Sequence, residues 1–273
     1  MQSLRGKVFT TEFVSWNQSI PQLLTKTKLA QHLPTDGRAI LIKPNLVEAL
    51  DPPITTPADL VFTLIDYLKT ITNTKIIIGE GCGALDYETW HAYEELGYTR
   101  LANEMQVELI DLNEEELVRL NREDCQRWPE MYLPRIAIES FLLSVPVLKA
   151  HSLAGVTLTM KNMMGLVPPS HYREGNSWKK SAFHNQIQPA VADLNRYRTP
   201  DFTLLDATVG MAQAHLWGPT CNPPVNRLVA AYDPVAIDAY GTSLLRKKWK
   251  DIGHIQTVDG ELGQASPLDI IDL

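Results

Sequence analysis

The residue types best suited to chemistry crowd into one stretch, Val145 to Asn185, where Lys149, His151, Lys161, Asn162, His171 and His184 follow an apolar run from Phe141 to Leu148. An imidazole ionises near neutrality, so His151 is expected to act as a general base. A lysine in a partly apolar site either holds an anion or, once its pKa is depressed, serves as an amine nucleophile. Met160, Met163 and Met164 would give Lys161 such a wall, and Asn162 could orient a carboxylate or a hydroxyl. His171 and His184, joined by Asp206 or Glu80, offer nitrogen and oxygen donors that suit zinc, iron, nickel or manganese. No HExxH or comparable helical pair accompanies them. His171, in Pro168-Pro169-Ser170-His171-Tyr172-Arg173, also reads as part of an exposed loop.

Short apolar strands must deliver these groups to one place. Arg38 to Lys43 reads as a strand that stops at Pro44, which has no N–H for the ladder, so Lys43 and Asn45 fall at its C-terminal end. Lys75 to Ile78 reads as a second strand, running into Gly79-Glu80-Gly81-Cys82-Gly83. Such a turn lets backbone approach a ligand closely, but it is neither a dinucleotide fingerprint nor a P-loop. Further strands are expected over 8–13, 107–112, 133–138, 141–148 (interrupted by Pro146), 202–205 with Asp206 at its end, and 228–231. Helical periods mark 20–33, 87–104 with Gly97 as a break, 187–197 and 252–262. Two helices carry start signals: Thr56 as cap with Pro57 at the first position, running to Ile71, and Asp233 as cap with Pro234, running to Lys248. Residues 113–130 read as polar surface and 207–224 as a long loop. Strands alternating with helices predict an α/β fold with a mainly parallel sheet flanked by helices. Ligands bind such sheets at the C-terminal strand edge, where Lys43, Asn45, Glu80 and Asp206 would meet the central stretch. One domain over 1–273 is expected, with two lobes of about 1–140 and 141–273.

Composition narrows the function classes. The chain has 273 residues, 44% apolar and 21% charged, so it can build a core without staples. A formal net charge of -7 argues against nucleic acid or anionic lipid as partner. Cys82, Cys125 and Cys221 are odd in number and far apart, with no CxxC pair, which argues against a disulfide framework. No signal-peptide core and no run of membrane-span length is present, so a cytoplasmic protein is expected. The expected partner is a small anionic ligand, bound by a monomer or a homodimer.

Five ordered motifs carry a family resemblance: Ile42-Lys43-Pro44-Asn45-Leu46, Leu148-Lys149-Ala150-His151, Lys161-Asn162-Met163-Met164-Gly165, Leu205-Asp206-Ala207, and Asp233-Pro234-Val235-Ala236-Ile237-Asp238. Over roughly residues 38–263 the chain resembles the domain of unknown function 362 family, many of whose members add a ferredoxin-like module with iron–sulfur clusters. The cysteine pattern of that module is absent from this sequence. His151-x-x-Ala-Gly155, followed by Lys161 and Gly165, is also similar to the nickel-pincer lactate racemases. That similarity implies His151 as base and Lys161 as the tether of the pincer cofactor, although Thr159-Met160 stands where that family has Gly-Gly.

The expectation is an enzyme acting on a small hydroxy- or keto-acid-like anion, isomerase- or racemase-like or otherwise metal-assisted. His151 and Lys161 would be catalytic, and Lys43, Asn45, Lys149, Asn162, Glu80 and Asp206 would bind substrate or cofactor. His184 and His171 would hold a divalent metal. The alternative is a non-catalytic redox-accessory protein whose three cysteines hold an iron–sulfur cluster.

Overall fold

The computed structural model describes residues 4–273, and among them ten strands form one sheet. In chain order the strands are β1 (Lys7–Glu12), β2 (Ile40–Pro44), β3 (Ile76–Glu80), β4 (Glu108–Asp111), β5 (Leu117–Asn121), β6 (Glu130–Pro134), β7 (Phe141–Val145), β8 (Val147–His151), β9 (Gly155–Thr157), β10 (Phe202–Met211), β11 (Arg227–Ala231) and β12 (Asp269–Asp272). The main path runs β12-β1-β11-β10-β7-β2-β3-β4, with β8 and β9 branching from β10 and a separate β5-β6 hairpin. From β10 through β7, β2 and β3 to β4 every pairing is parallel. β11 runs antiparallel to both β10 and β1.

Helices cover both faces: α1 (Trp16–Thr27), α2 (Ala58–Ile71), α3 (Thr89–Glu95), α4 (Tyr98–Met105), α5 (Arg135–Glu139), α6 (Thr159–Asn162), α7 (Pro169–Tyr172), α8 (Ile187–Tyr197), α9 (Pro234–Leu244) and α10 (Gly253–Val258). The strands read as continuous apolar runs because alternate residues enter different cores. Ile40 and Ile42 pack with Leu64 and Leu101 on one face, while Leu41 packs with Val191, Ile237 and Ile255 on the other. The fold is therefore α/β, with a mainly parallel sheet flanked by helices. No helix among the described residues is long and apolar enough to cross a membrane.

Several expected elements change form. The apolar run 141–148 is two strands, since β7 ends before Pro146 and β8 continues to His151. The predicted helix over 87–104 is two, separated at Gly97 with φ +79°. Thr56 does not cap α2: its hydroxyl donates to Val145 O at 2.6 Å and accepts from Asn45 N at 2.8 Å, joining two strand ends. Residues 113–130, expected as plain surface, contain β5, and 133–138 divides between β6 and α5. Asp206 does not end its strand. It lies inside β10, which exchanges β7 for β8 as its neighbour after Thr203 and continues to Met211.

Asp233 does cap α9, accepting from Val235 N and Ala236 N at 2.9 Å each, and its second oxygen accepts from Gly6 N and Gln264 N. Asp233→Ala removes the acceptor for all four N–H groups. It should lower unfolding free energy by about 2 kcal/mol or more in urea denaturation.

Candidate anion site at the sheet edge

The site starts from two strand ends. Lys43 on β2 and Glu80 on β3 form an ion pair, Nζ to Oε1, at 2.7 Å, with side chains 0% and 3% exposed. Burial lowers the Lys43 ammonium from its ordinary value, and the Glu80 carboxylate partly restores it. Glu80 also accepts from Gly81 N at 2.8 Å and Leu46 N at 3.0 Å, which fixes the turns after both strands. Lys43 donates to Pro44 O at 3.1 Å and to Asn162 Oδ1 at 3.4 Å, and Asn45 Nδ2 donates to the same Asn162 oxygen at 3.1 Å. Gly165 lies directly on the ion pair: a Cβ there would overlap Glu80 Oε1 and Lys43 Nζ.

Above this floor opens a cavity of about 570 Å³. Asn45, Glu80, Lys149, His151, Lys161, Asn162 and His184 all line it, along with Lys180 and His215. Lys149 and His151 come from β8. Lys161 and Asn162 come from α6, whose first N–H groups, Thr159 and Met160, donate to the buried Asp238 carboxylate at 2.8 and 3.0 Å. Asp238 therefore positions Lys161 through backbone and does not touch the amine. Burial pushes the Asp238 carboxyl up to about 7, and those amides pull against the rise.

Lys149, Lys161 and Lys180 form no ion pair among the described residues. Lys149 Nζ donates to Ile54 O at 2.6 Å, and Lys180 Nζ donates to Asn113 Oδ1 and the carbonyls of Gly165 and Val167, all neutral acceptors. Lys161, half-buried, has no hydrogen bond or ion pair among the described residues. Burial depresses all three: Lys149 to about 7, with repulsion from Lys161 adding to the effect, Lys180 to about 7, and Lys161 to about 8. The lining carboxylates are Glu80, already paired with Lys43, and Glu48.

The imidazoles are held neutral by the same environment. His151 Nδ1 accepts from both Leu153 N and Ala154 N at 3.1 Å, so its proton resides on Nε2. Burial, then Lys161, lowers the His151 pKa. His215 stacks on His151 with ring centroids 4.1 Å apart and is pushed down to about 4, by burial first and Lys161 next. His184, 6.0 Å from His151 by centroid, is lowered by the same causes.

Three expected members stand elsewhere. Lys43 is sealed under the cavity by Glu80. Asp206, buried inside β10, accepts from Thr208 N and Oγ1 at 2.9 and 2.7 Å, and it does not line the cavity. His171 is exposed and stacks on Tyr132 at 4.0 Å, so it does not join His184. The third imidazole of the site is His215, carried by the loop after β10. Only its position in a glycine- and proline-punctuated loop following a strand could have signalled it. Cys82 bonds Val47 O, Cys125 faces Asp193 O and Cys221 lies against Gly210. Among the described residues the group of three or more His, Cys, Asp or Glu side chains close enough to share a metal ion is Glu88, Asp111 and Glu114, which contains neither cysteine nor histidine.

A family model, Domain of unknown function (DUF362), matches residues 40–243, from the first residue of β2 into α9. The chain belongs to the DUF362 family. All of the cavity residues named above lie within the DUF362 match. No curated protein matches the chain. Among solved structures it is similar to the lactate racemase apoprotein from Thermoanaerobacterium thermosaccharolyticum, with a TM-score of 0.49 and 12% sequence identity over 84% of this chain and 55% of that one. The DUF362 chain thus spans about half the length of that neighbour.

The buried pair makes a testable demand on this site. Glu80→Leu strands the Lys43 ammonium and should cost about 3–5 kcal/mol of stability, while adding Lys43→Met should recover much of that loss. A double-mutant cycle by chemical denaturation measures the coupling, and additive losses would contradict it.

Proposed function

We propose that this chain is an enzyme that binds a small carboxylate of the hydroxy- or keto-acid type and moves a proton at the carbon beside its carbonyl. The observation that carries this reading is the convergence of Lys149, Lys161 and Lys180 on one cavity whose two lining carboxylates, Glu48 and Glu80, form an ion pair with none of them among the described residues. An anion entering there supplies the missing charge and raises the depressed pKa values toward normal. Lys149 uses one N–H on Ile54 O and has donors left for a carboxylate, whereas Lys180 is fully engaged and contributes its field.

Lys161 serves as the base. Its amine is unpartnered, faces the cavity and loses its proton at about 8, close to the operating range. His151 serves as a neutral donor: with Nδ1 occupied by two backbone amides, its Nε2–H polarises the substrate oxygen. This replaces the base role expected of His151 with a hydrogen-bonding one. Asn45 Oδ1 and Thr157 Oγ1 are both buried in wall residues and without partners among the described residues; the first suits a ligand hydroxyl, which can donate to it, and the second can donate to a ligand carbonyl.

A divalent metal fits the donor chemistry to this extent: His184 and His215 offer imidazole nitrogens in the same cavity. Such a group would supply an electron sink beside the reacting carbon.

Short 2-keto acids incubated with the protein in deuterium oxide should gain deuterium beside the carbonyl, read by NMR. Lys161→Met should slow incorporation by about 10²- to 10⁴-fold at unchanged Tm, and incorporation that survives this change would contradict the assignment. Lys149→Met should act mainly on KM. The sign of the pH dependence follows from the two lysines: the anion needs Lys149 protonated, which fails above about 7, and the base needs Lys161 neutral, which fails below about 8. The profile of kcat/KM should be a bell centred between those values.

A further inference from the structure

The cavity is far larger than its polar floor requires. A three-carbon acid held by Lys149 would fill only a small part of about 570 Å³, a size within the range of about 300–1,000 Å³ that encloses drug-sized ligands. Its mouth is also unusual. Eight large apolar side chains are exposed among the described residues, and four of them, Leu85, Leu153, Trp178 and Trp217, line this one cavity. They come from four separate segments: the turn after β3, the β8–β9 turn, the loop before Lys179, and the loop after β10. Trp178 is 47% and Trp217 73% exposed, and Trp178 is oriented by a 3.2 Å bond from its indole N–H to His184 Nδ1. Scattered single apolar residues on a surface need no cause, but a rim gathered from four loops around a cavity opening does. Val47, Met164 and Leu216 also line the cavity.

We propose that the ligand is an amphipathic anion: a carboxylate head seated on the lysines and an aromatic tail that lies between the tryptophans at the mouth. This rests on the anion reading above and names its substrate class as aryl-substituted hydroxy or keto acids. The head supplies charge that the floor lacks, and the tail covers indole surface that water now meets. Indole rings favour a flat aromatic partner through offset or edge-on packing, which an alkyl chain does not reproduce.

Isothermal titration with lactate, 3-phenyllactate and the uncharged 3-phenylpropane-1,2-diol tests the proposal. Burying one ring should make 3-phenyllactate bind roughly 10- to 100-fold more tightly than lactate, and the diol should not bind measurably. Trp217→Ala and Leu85→Ser should each shrink the ratio of the two acid affinities, whereas Lys149→Met should weaken both acids together. Equal affinities for lactate and 3-phenyllactate, each still weakened by Lys149→Met, would overturn the aromatic tail and leave the anion site standing. Binding of the diol as tightly as 3-phenyllactate, or binding of neither acid, would overturn the proposal together with the reading beneath it.

Discussion

The Lys43–Glu80 ion pair is the constraint on which the rest of the site depends. It ties the ends of two neighbouring parallel strands where the ladder has run out, and it lies almost wholly out of water. Buried pairs add little net stability, because desolvation offsets their attraction. What this one fixes is geometry: Glu80 holds the first N–H groups of two turns, Lys43 and Asn45 both reach Asn162, and the 163–166 turn can lie over the pair only because residue 165 has no side chain.

The electrostatics of the cavity follow from that pairing. Glu80 would be the natural counter-ion for the lysines above it, but it is held by Lys43. Lys149 and Lys180 are left on neutral acceptors and Lys161 on none, burial depresses all three, and the Lys161 charge adds to the fall at Lys149 and at the surrounding imidazoles. A site built this way is charged and unsatisfied at once. It gains most from a ligand that brings a negative charge and displaces poorly placed water. The positioning of Lys161 comes from a different element, Asp238 on α9, which holds the start of α6 by its backbone amides.

How much of this could be read from the chain depended on how local the signal was. Pro44 and the Gly79-Glu80-Gly81 turn stop their strands within one or two residues, so the placement of Lys43, Asn45 and Glu80 at the C-terminal edge was legible. Lys149, His151, Lys161 and Asn162 were legible as a cluster because they sit close together in sequence. Asp206 was misplaced because β10 changes neighbours partway along and continues, a long-range event with no local mark. His215 escaped for the opposite reason: its loop returns to the cavity only in three dimensions, and it stacks on an imidazole 64 positions away by number. The proton position on His151 depends on two backbone amides in the turn that follows it, and residue type alone could not disclose it. Weak strands such as β5 and β12 are short and largely out of the core, without an apolar alternation to betray them.

The central claim is that Lys161 presents a free amine of lowered pKa to a cavity made for an anion. Competitive labelling of the native protein with limiting acetic anhydride at pH 7, followed by peptide mass spectrometry, measures this directly. Lys161 should be acetylated well before exposed lysines such as Lys26, and saturating carboxylate ligand should slow it selectively. If Lys161 labels no faster than Lys26, or if its rate ignores the ligand, the amine is neither free nor part of an anion site.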